Sequence, residues 1–303
     1  MNETLKLKEK FEIVEKLSKK HSKRKLLRIL EISRSSYYYN QKEKKNQREI
    51  ENEILLEQIT LIWQKSHKRY GSKKVHAELQ KLKLEVNLKR VKRLMRENRL
   101  FSIIVKKYKV HRTNVEERGK TENKLKRDFS TEKLNEKWVS DITYIHSERE
   151  GWCYLSSIMD LKSNRIISHK VGKVMDVELV MKTLKMATYM RGSIRETIIH
   201  TDRGNQYLSK EYRKYCKENN LELSYSRKGN PHDNACIESF HATLKKEYVH
   251  HKKFKNLEEI RKGIFEYIES WYNRKRIQEK LGYLSPLEYE EQLKNEIKIN
   301  RIS

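Results

Sequence analysis

In Lys137-Trp138-Val139-Ser140-Asp141-Ile142-Thr143-Tyr144-Ile145, apolar and polar side chains alternate like those of a half-buried β-strand, with a carboxylate in its middle. A second stretch, Ile198-Ile-His-Thr-Asp202-Arg-Gly204, reads as a strand running into a glycine turn and carries another carboxylate. In Asp233-Asn-Ala-Cys-Ile-Glu238-Ser-Phe-His-Ala-Thr-Leu-Lys-Lys-Glu247, the apolar Ile237, Phe240 and Leu244 step by three and four, as on one helix face. Pro231 and Asp233 give that helix a start. Between Asp141 and Asp202 lie 60 residues, and between Asp202 and Glu238 lie 35.

Two strands and a helix can gather three carboxylates that no local segment could bring together. Hard divalent cations such as Mg2+ prefer carboxylate and water oxygens. A pair of them about 3.5–4 Å apart suits in-line displacement at a phosphodiester without a protein nucleophile. In a chain with 42 acidic residues the bare spacing carries little weight, and the motifs around the three positions carry more.

Those motifs resemble a known family. Lys-Trp-Val-Ser-Asp141-Ile-Thr-Tyr, His200-Thr-Asp202-Arg-Gly204-Asn-Gln-Tyr207, Ser226-Arg-Lys-Gly-Asn-Pro-His-Asp-Asn-Ala-Cys-Ile-Glu238-Ser-Phe and Tyr272-Asn-Arg-Lys-Arg-Ile-Gln-Glu-Lys-Leu-Gly282-Tyr-Leu-Ser-Pro286 occur in order. Together they resemble the bacterial insertion-sequence transposases of the second-frame (OrfB) type, with a retroviral-integrase-like (DDE) catalytic core. The resemblance implies an α/β fold: an RNase H-like domain with a mixed five-strand sheet flanked by helices, preceded by an all-helical helix-turn-helix region. It also implies an Asp141, Asp202, Glu238 triad holding two Mg2+ ions, which Mn2+ can replace. Asp141 would bridge the two ions, with Asp202 on one and Glu238 on the other. The implied reaction is hydrolytic cleavage of element ends and transfer of the 3′-hydroxyl to target DNA. The implied partners are double-stranded DNA carrying terminal inverted repeats, further copies of the chain, and an upstream-frame (OrfA-type) protein or fusion supplying another helix-turn-helix. Lys245, seven residues after Glu238, matches the basic position that the family places near the DNA end. Gln278 stands where the family more often has His.

Composition agrees with a polyanionic partner. The chain has 303 residues, with 69 Lys and Arg against 42 Asp and Glu, a net charge of +27. Residues 1–128 carry 37 basic and 17 acidic residues, whereas 129–303 carry 32 and 25. The N-terminal part is therefore expected to grip phosphate, leaving the remainder room for an acidic centre. The start, Met1-Asn-Glu-Thr-Leu-Lys-Leu-Lys, has no apolar core, and no run approaches the ~20 apolar residues of a membrane span. A soluble, cytoplasmic and nucleoid-associated protein with no membrane partner is the expectation. Cys153, Cys216 and Cys236 lack zinc or disulfide spacing and are expected to be small buried residues.

The N-terminal third reads as helices. Residues 1–50 hold a helix-turn-helix-like segment in which Leu26, Leu27, Leu30 and Ile32 lead to a turn-like Ser33 and then Arg34-Ser-Ser-Tyr37, with Arg34 available to DNA. Residues 51–104 form a second unit, where Tyr70-Gly-Ser72 precedes a helix carrying Val75 and Leu79. Asn87 then caps a helix carrying Val91, Leu94 and Met95. Lys89, Arg90, Lys92, Arg93 and Arg96 lie on the exposed side of that last helix. A charged face is often merely solvated, but five cations in eight positions favour DNA contact.

Residues 105–128 read as a basic linker, and 129–295 as the catalytic core. Within the core, strands are expected near 138–146, 152–160, 164–171, 196–201 and 222–226, and helices near 177–191 and 209–219. Asp160 is assigned to a turn rather than to the triad, and 226–234 to a mobile loop. Trp271 is placed in the core, with Arg274 and Arg276 toward phosphate. Two rivals share some of these features: a DNA-binding regulator without catalysis, and an RNase H-like nuclease that hydrolyses without joining.

Overall fold

The computed structural model describes residues 7–41, 47–104, 122–192, 194–227 and 231–299. The chain falls into two compact units, Met1–Thr60 and Leu61–Ser303.

The first unit is helical: α1 (Leu7–Leu17), α2 (Lys23–Ile29), α3 (Arg34–Gln41) and most of α4 (Gln47–Lys65). Val14, Leu26, Leu27, Ile32 and Tyr37 form its core, with Phe11 and Leu30 packed against them. Ser33 is a helix cap, its hydroxyl accepting from the Ser36 N–H at 3.0 Å.

The second unit begins with a helix pair, α5 (Ser72–Lys81) and α6 (Leu88–Glu97). Asn87 caps α6 by accepting from the Lys89 N–H at 2.8 Å, and Val75, Leu79, Val91, Leu94 and Met95 are all buried. The pair continues into the rest of its unit. The Tyr70 hydroxyl donates to the Lys275 carbonyl at 2.8 Å and accepts from the Ile277 N–H at 2.9 Å, while the Arg69 guanidinium lies 4.8 Å from the Trp271 ring centroid.

The sheet follows, as β1 (Lys137–Ser147), β2 (Gly151–Asp160), β3 (Ile166–Gly172), β4 (Thr197–Thr201) and β5 (Leu221–Tyr225) in the spatial order β3-β2-β1-β4-β5. β1 to β3 form an antiparallel meander, whereas β4 pairs parallel with both β1 and β5. The return to β4 runs through α7 (Val177–Arg191), capped by the Asp176 carboxylate accepting from the Leu179 N–H. α8 (Asn205–Leu208) and α9 (Lys210–Glu218) lead on to β5. Trp138, Ile158, Val180, Leu184, Ile199, Tyr207, Tyr212 and Cys216 share one core between sheet and helices. This mixed five-strand sheet flanked by helices is the RNase H-like arrangement.

α10 (Ala235–Glu247) packs against β1, and α11 (Leu257–Phe265) passes into a π-helical stretch, Glu266–Tyr272. The final helix, α12 (Pro286–Ile299), is anchored by the fully buried Glu290. Its carboxylate accepts from Arg165 at 2.7 Å and from the Arg191 guanidinium. Residues 122–128, expected as the end of a linker, lie instead along β5. The Ser224 hydroxyl accepts from the Lys124 and Leu125 N–H groups, and Leu125 is buried. Lys106, Lys107 and Lys109 of that segment lie outside the described residues.

Candidate active site

Strand register brings the first two carboxylates together. β1 and β4 run parallel with Val139 opposite His200, so Asp141 and Asp202, each two residues further on, come near each other at this end of the sheet, where the Asp141 charge acts on Asp202. β4 ends at Thr201, and Asp202 begins the turn beyond it, its Oδ1 accepting from the Gly204 N–H at 2.9 Å. His200 fixes this end of the sheet, its ring nitrogens lying 2.8 Å and 3.0 Å from the Ser224 and Ser226 hydroxyls.

Glu238 arrives from the opposite element. A 3-10 turn at Pro231–Asn234 opens α10, and the Asn234 side-chain amide donates to the Ser140 carbonyl at 3.2 Å, tying the helix start to β1. Ile237, Phe240, His241 and Leu244 face inward, which sets Glu238 at the exposed rim of the first turn. Asp233 anchors the turn: fully buried, it accepts from the Arg227 backbone and guanidinium, from Arg127 and from Asn123. The Arg227 hydrogen bonds hold its carboxyl well below the usual carboxylate range, although burial acts the other way. The 226–234 loop is thus pinned at both ends. Residues 228–230 lie outside the described residues.

The three carboxylates feel one another. Burial, and then the Asp141 charge, push the Asp202 carboxyl up to about 6. Burial, then Asp141 and Asp202, raise that of Glu238. Beneath them the buried Tyr207 hydroxyl lies 3.1 Å from Ser140 Oγ and is driven well above its ordinary value by burial, Asp202 and Asp141. No Lys or Arg ion pair to these three carboxylates is found among the described residues, so the cluster carries uncompensated negative charge of the kind a divalent cation relieves. The donor set fits hard-cation chemistry. Among the described residues, no group of three or more His, Cys, Asp or Glu stands close enough together to hold a metal ion as it is.

His241 belongs to this cluster and was not singled out in the sequence. Its Nδ1 lies 3.4 Å from Asp141 Oδ2 and its Nε2 lies 2.7 Å from Ser157 Oγ. Because Ser157 is the β2 residue opposite Asp141, the imidazole bridges two strands from α10. The available signal was position: His241 follows Glu238 by three residues, about one turn along the helix.

The expected DNA contacts divide. Lys245 stands two turns beyond Glu238, its Nζ 4.1 Å from the Tyr144 ring centroid. Burial lowers its pKa, opposed by the attraction of Asp141. Lys89, Lys92, Arg93 and Arg96 line one shallow groove on α6, while Arg90 is half-buried. Arg34, at the start of α3, and Arg274 are exposed. Arg276 departs from its expected place toward phosphate. Its guanidinium is held by Glu247, with Nη2 2.8 Å and Nε 3.0 Å from Oε1, and its side chain is only 14 % exposed. The turn role expected of Asp160 agrees with its contacts, since it accepts from the Asn135 and Lys162 N–H groups at 2.9 Å. Gln278 accepts from the Asn164 side-chain amide at 3.1 Å.

Known proteins share this organisation. The integrase core domain family matches residues 131–231 and, by a second family model, 238–293, and the HTH-like domain family matches 49–108. The transposase InsF for insertion sequence IS3A, from Escherichia coli (strain K12), is 34% identical over 288 residues, covering 93% of this chain and 98% of that protein. The insertion element IS600 31 kDa protein of Shigella sonnei is 34% identical over 266 residues, or 88% of this chain and 97% of that protein. Among solved structures, the HTLV-2 integrase catalytic core domain in complex with magnesium (trimeric form) matches with a TM-score of 0.40 and 17% identity, over 51% of this chain and 95% of that one. With an integrase core behind an HTH-like domain, and this identity along nearly its whole length, the chain belongs to the family of insertion-sequence transposases, which are DDE polynucleotidyl transferases.

Proposed function

We propose that Asp141, Asp202 and Glu238 are the catalytic carboxylates of this transposase and that they act on the ends of its own element. The observation that carries the assignment is the parallel register of β1 and β4, which brings Asp141 near Asp202, together with the burial and then the mutual repulsion that raise Asp202 and Glu238. The three would hold two Mg2+ ions, replaceable by Mn2+, whose chemistry when bound is to activate an attacking water or 3′-hydroxyl and to stabilise the leaving oxygen.

The protein's own groups supply the rest. Asp141 is oriented by His241, Asp202 by the Gly204 N–H, and Glu238 by the anchoring of α10 through Asn234 and Asp233. Lys245 offers a cation to phosphate beside Asp141. The groove of Lys89, Lys92, Arg93 and Arg96 offers several more, the arrangement that positions a duplex without reading it. The substrate in this reading is double-stranded DNA ending in the element's terminal inverted repeats, joined to a target by the liberated 3′-hydroxyl. The assembly is a homo-multimer, since two DNA ends need two sites, and it works with an upstream-frame (OrfA-type) protein or fusion in the bacterial cytoplasm. Among the described residues no helix is long and apolar enough to cross a membrane.

The discriminating experiment measures DNA affinity and strand cleavage of Asp141→Asn together. Affinity within a few-fold of wild type, with cleavage lost, supports the assignment. Unchanged cleavage removes Asp141 from the chemistry, and hydrolysis without joining by the wild type indicates a nuclease.

A further inference from the structure

The β1–β2 hairpin carries an aromatic surface that neither the core nor the carboxylate cluster uses. Tyr144 and His146 on β1 alternate with the buried Thr143, Ile145 and Ser147, and Trp152 lies opposite His146 in the antiparallel register. The Trp152 ring meets Tyr144 and His146 edge-on, with centroids 5.0 Å and 5.1 Å away. Trp152 is 55% exposed and Tyr144 is 45% exposed. A core-forming role needs burial, and about half of Trp152 and of Tyr144 is exposed.

The surface adjoins the proposed active site. Tyr144 follows Asp141 by three residues, about 10 Å along β1, and the odd offset turns their side chains to opposite faces of the strand, so the two places are linked through Lys245 rather than through the strand. Lys245 joins the two places: it comes from the helix that bears Glu238, is attracted by Asp141, and stands over the Tyr144 ring. Past it, the end of α10 and the following turn add Lys246, His250, His251, Lys252 and Lys253. The basic border disfavours a symmetric contact with a second copy, because an isologous interface tends to set like charges against each other. It favours a ligand with apolar flat faces and a polyanionic backbone. Stacked, paired bases do not present their faces, whereas unpaired nucleotides do.

We propose that Tyr144, His146 and Trp152, bordered by Lys245, form a stacking platform for unpaired nucleotides at the DNA end, next to the phosphodiester that the carboxylates process. This deepens the reading of Asp141, Asp202 and Glu238 as the catalytic site and rests on it for the location of that phosphodiester.

The test uses the full-length protein without divalent cations and a short DNA duplex bearing the element end. In one version the end carries a three-nucleotide single-stranded extension with 2-aminopurine at its centre, and in the other it is fully paired. Wild type is expected to quench the 2-aminopurine and to prefer the extended DNA by about tenfold, a stacking contribution of ordinary size. Trp152→Ala should lose both effects, and Trp152→Phe should retain most of both. Thermal unfolding of Trp152→Ala should stay close to wild type, since the ring lies outside the core. Tyr144→Ala should give the same loss as Trp152→Ala. The proposal is overturned if the wild type shows no quenching, if Trp152→Ala and Tyr144→Ala quench like wild type, or if Trp152→Ala changes only self-association in sedimentation. The last result would assign the surface to a subunit contact. Quenching by a wild-type protein that fails to cleave the same DNA with Mg2+ would remove the catalytic reading and leave the platform standing.

Discussion

His241 Nδ1 lies 3.4 Å from Asp141 Oδ2 while its Nε2 lies 2.7 Å from the Ser157 hydroxyl, so one imidazole on α10 fixes the central carboxylate on β1 against its neighbour on β2. Such partners set the orientation of a ligating group, and their loss commonly costs about 10–100-fold in metal affinity or activity. His241→Ala is expected to weaken Mn2+ binding and slow strand cleavage within that range, with DNA affinity unchanged. Isothermal titration with Mn2+ alongside the cleavage assay checks this, and unaltered Mn2+ binding would dismiss the orienting role.

Arg276 and Arg274 should separate cleanly. The Arg276 guanidinium is paired with the buried Glu247, which also accepts from the Tyr267 hydroxyl at 2.9 Å. Burial alone would raise the Glu247 carboxyl, but the charge and hydrogen bonds of Arg276 leave it below its usual value. Removing Arg276 strands a buried carboxylate, so Arg276→Ala is expected to cost about 3–5 kcal/mol of stability in urea unfolding. Arg274→Ala, at an exposed position, should leave stability within about 0.5 kcal/mol.

Asp233 predicts a pH dependence. Its folded pKa is depressed, so its contribution is fully present above the unfolded carboxylate value of about 3.9 and is lost as pH falls through the folded value. Asp233→Asn should therefore be less stable than wild type by about 1–3 kcal/mol near neutral pH, a range that allows for the solvent exposure of Arg127 and Arg227. The gap should close on acidification below about pH 4. A gap that stays constant down to low pH would show that the carboxylate charge is not what pins the turn.

The α6 groove makes a salt-dependence prediction. If Lys89, Lys92 and Arg96 each neutralise one phosphate, the triple alanine variant should flatten the slope of log affinity against log salt by about 3. The loss should be equal for element ends and unrelated duplexes. A loss confined to element ends would mean that these side chains read bases.

Much of the sheet was legible because its signals are local. Alternation in 137–145 gave β1, and the Asn87 cap gave the start of α6. Features set by distant pairing were not legible. Arg276 reads as one of three exposed cations in Arg274-Lys275-Arg276, and only the fold shows Glu247, 29 residues earlier, as its partner. Leu125 looks like a lone apolar residue in a basic run, yet Ser224 ties its neighbours to β5. The short helix α8 has no counterpart among the expected elements, because its four residues are too few to show a helical period after the glycine turn. The carboxylates were found through their motifs, whereas their adjacency depends on β1 and β4 pairing across more than 50 intervening residues.

The most direct measurement follows strand nicking and 3′-end joining of a DNA duplex carrying the element's ends, with Mg2+ and any upstream-frame partner the gene encodes. Wild type is compared with Asp141→Asn, Asp202→Asn and Glu238→Gln at matched DNA occupancy. Nicking and joining by wild type, and neither by any of the three variants, is the predicted result. Wild-type rates in any one of the variants would contradict a single site built from all three carboxylates.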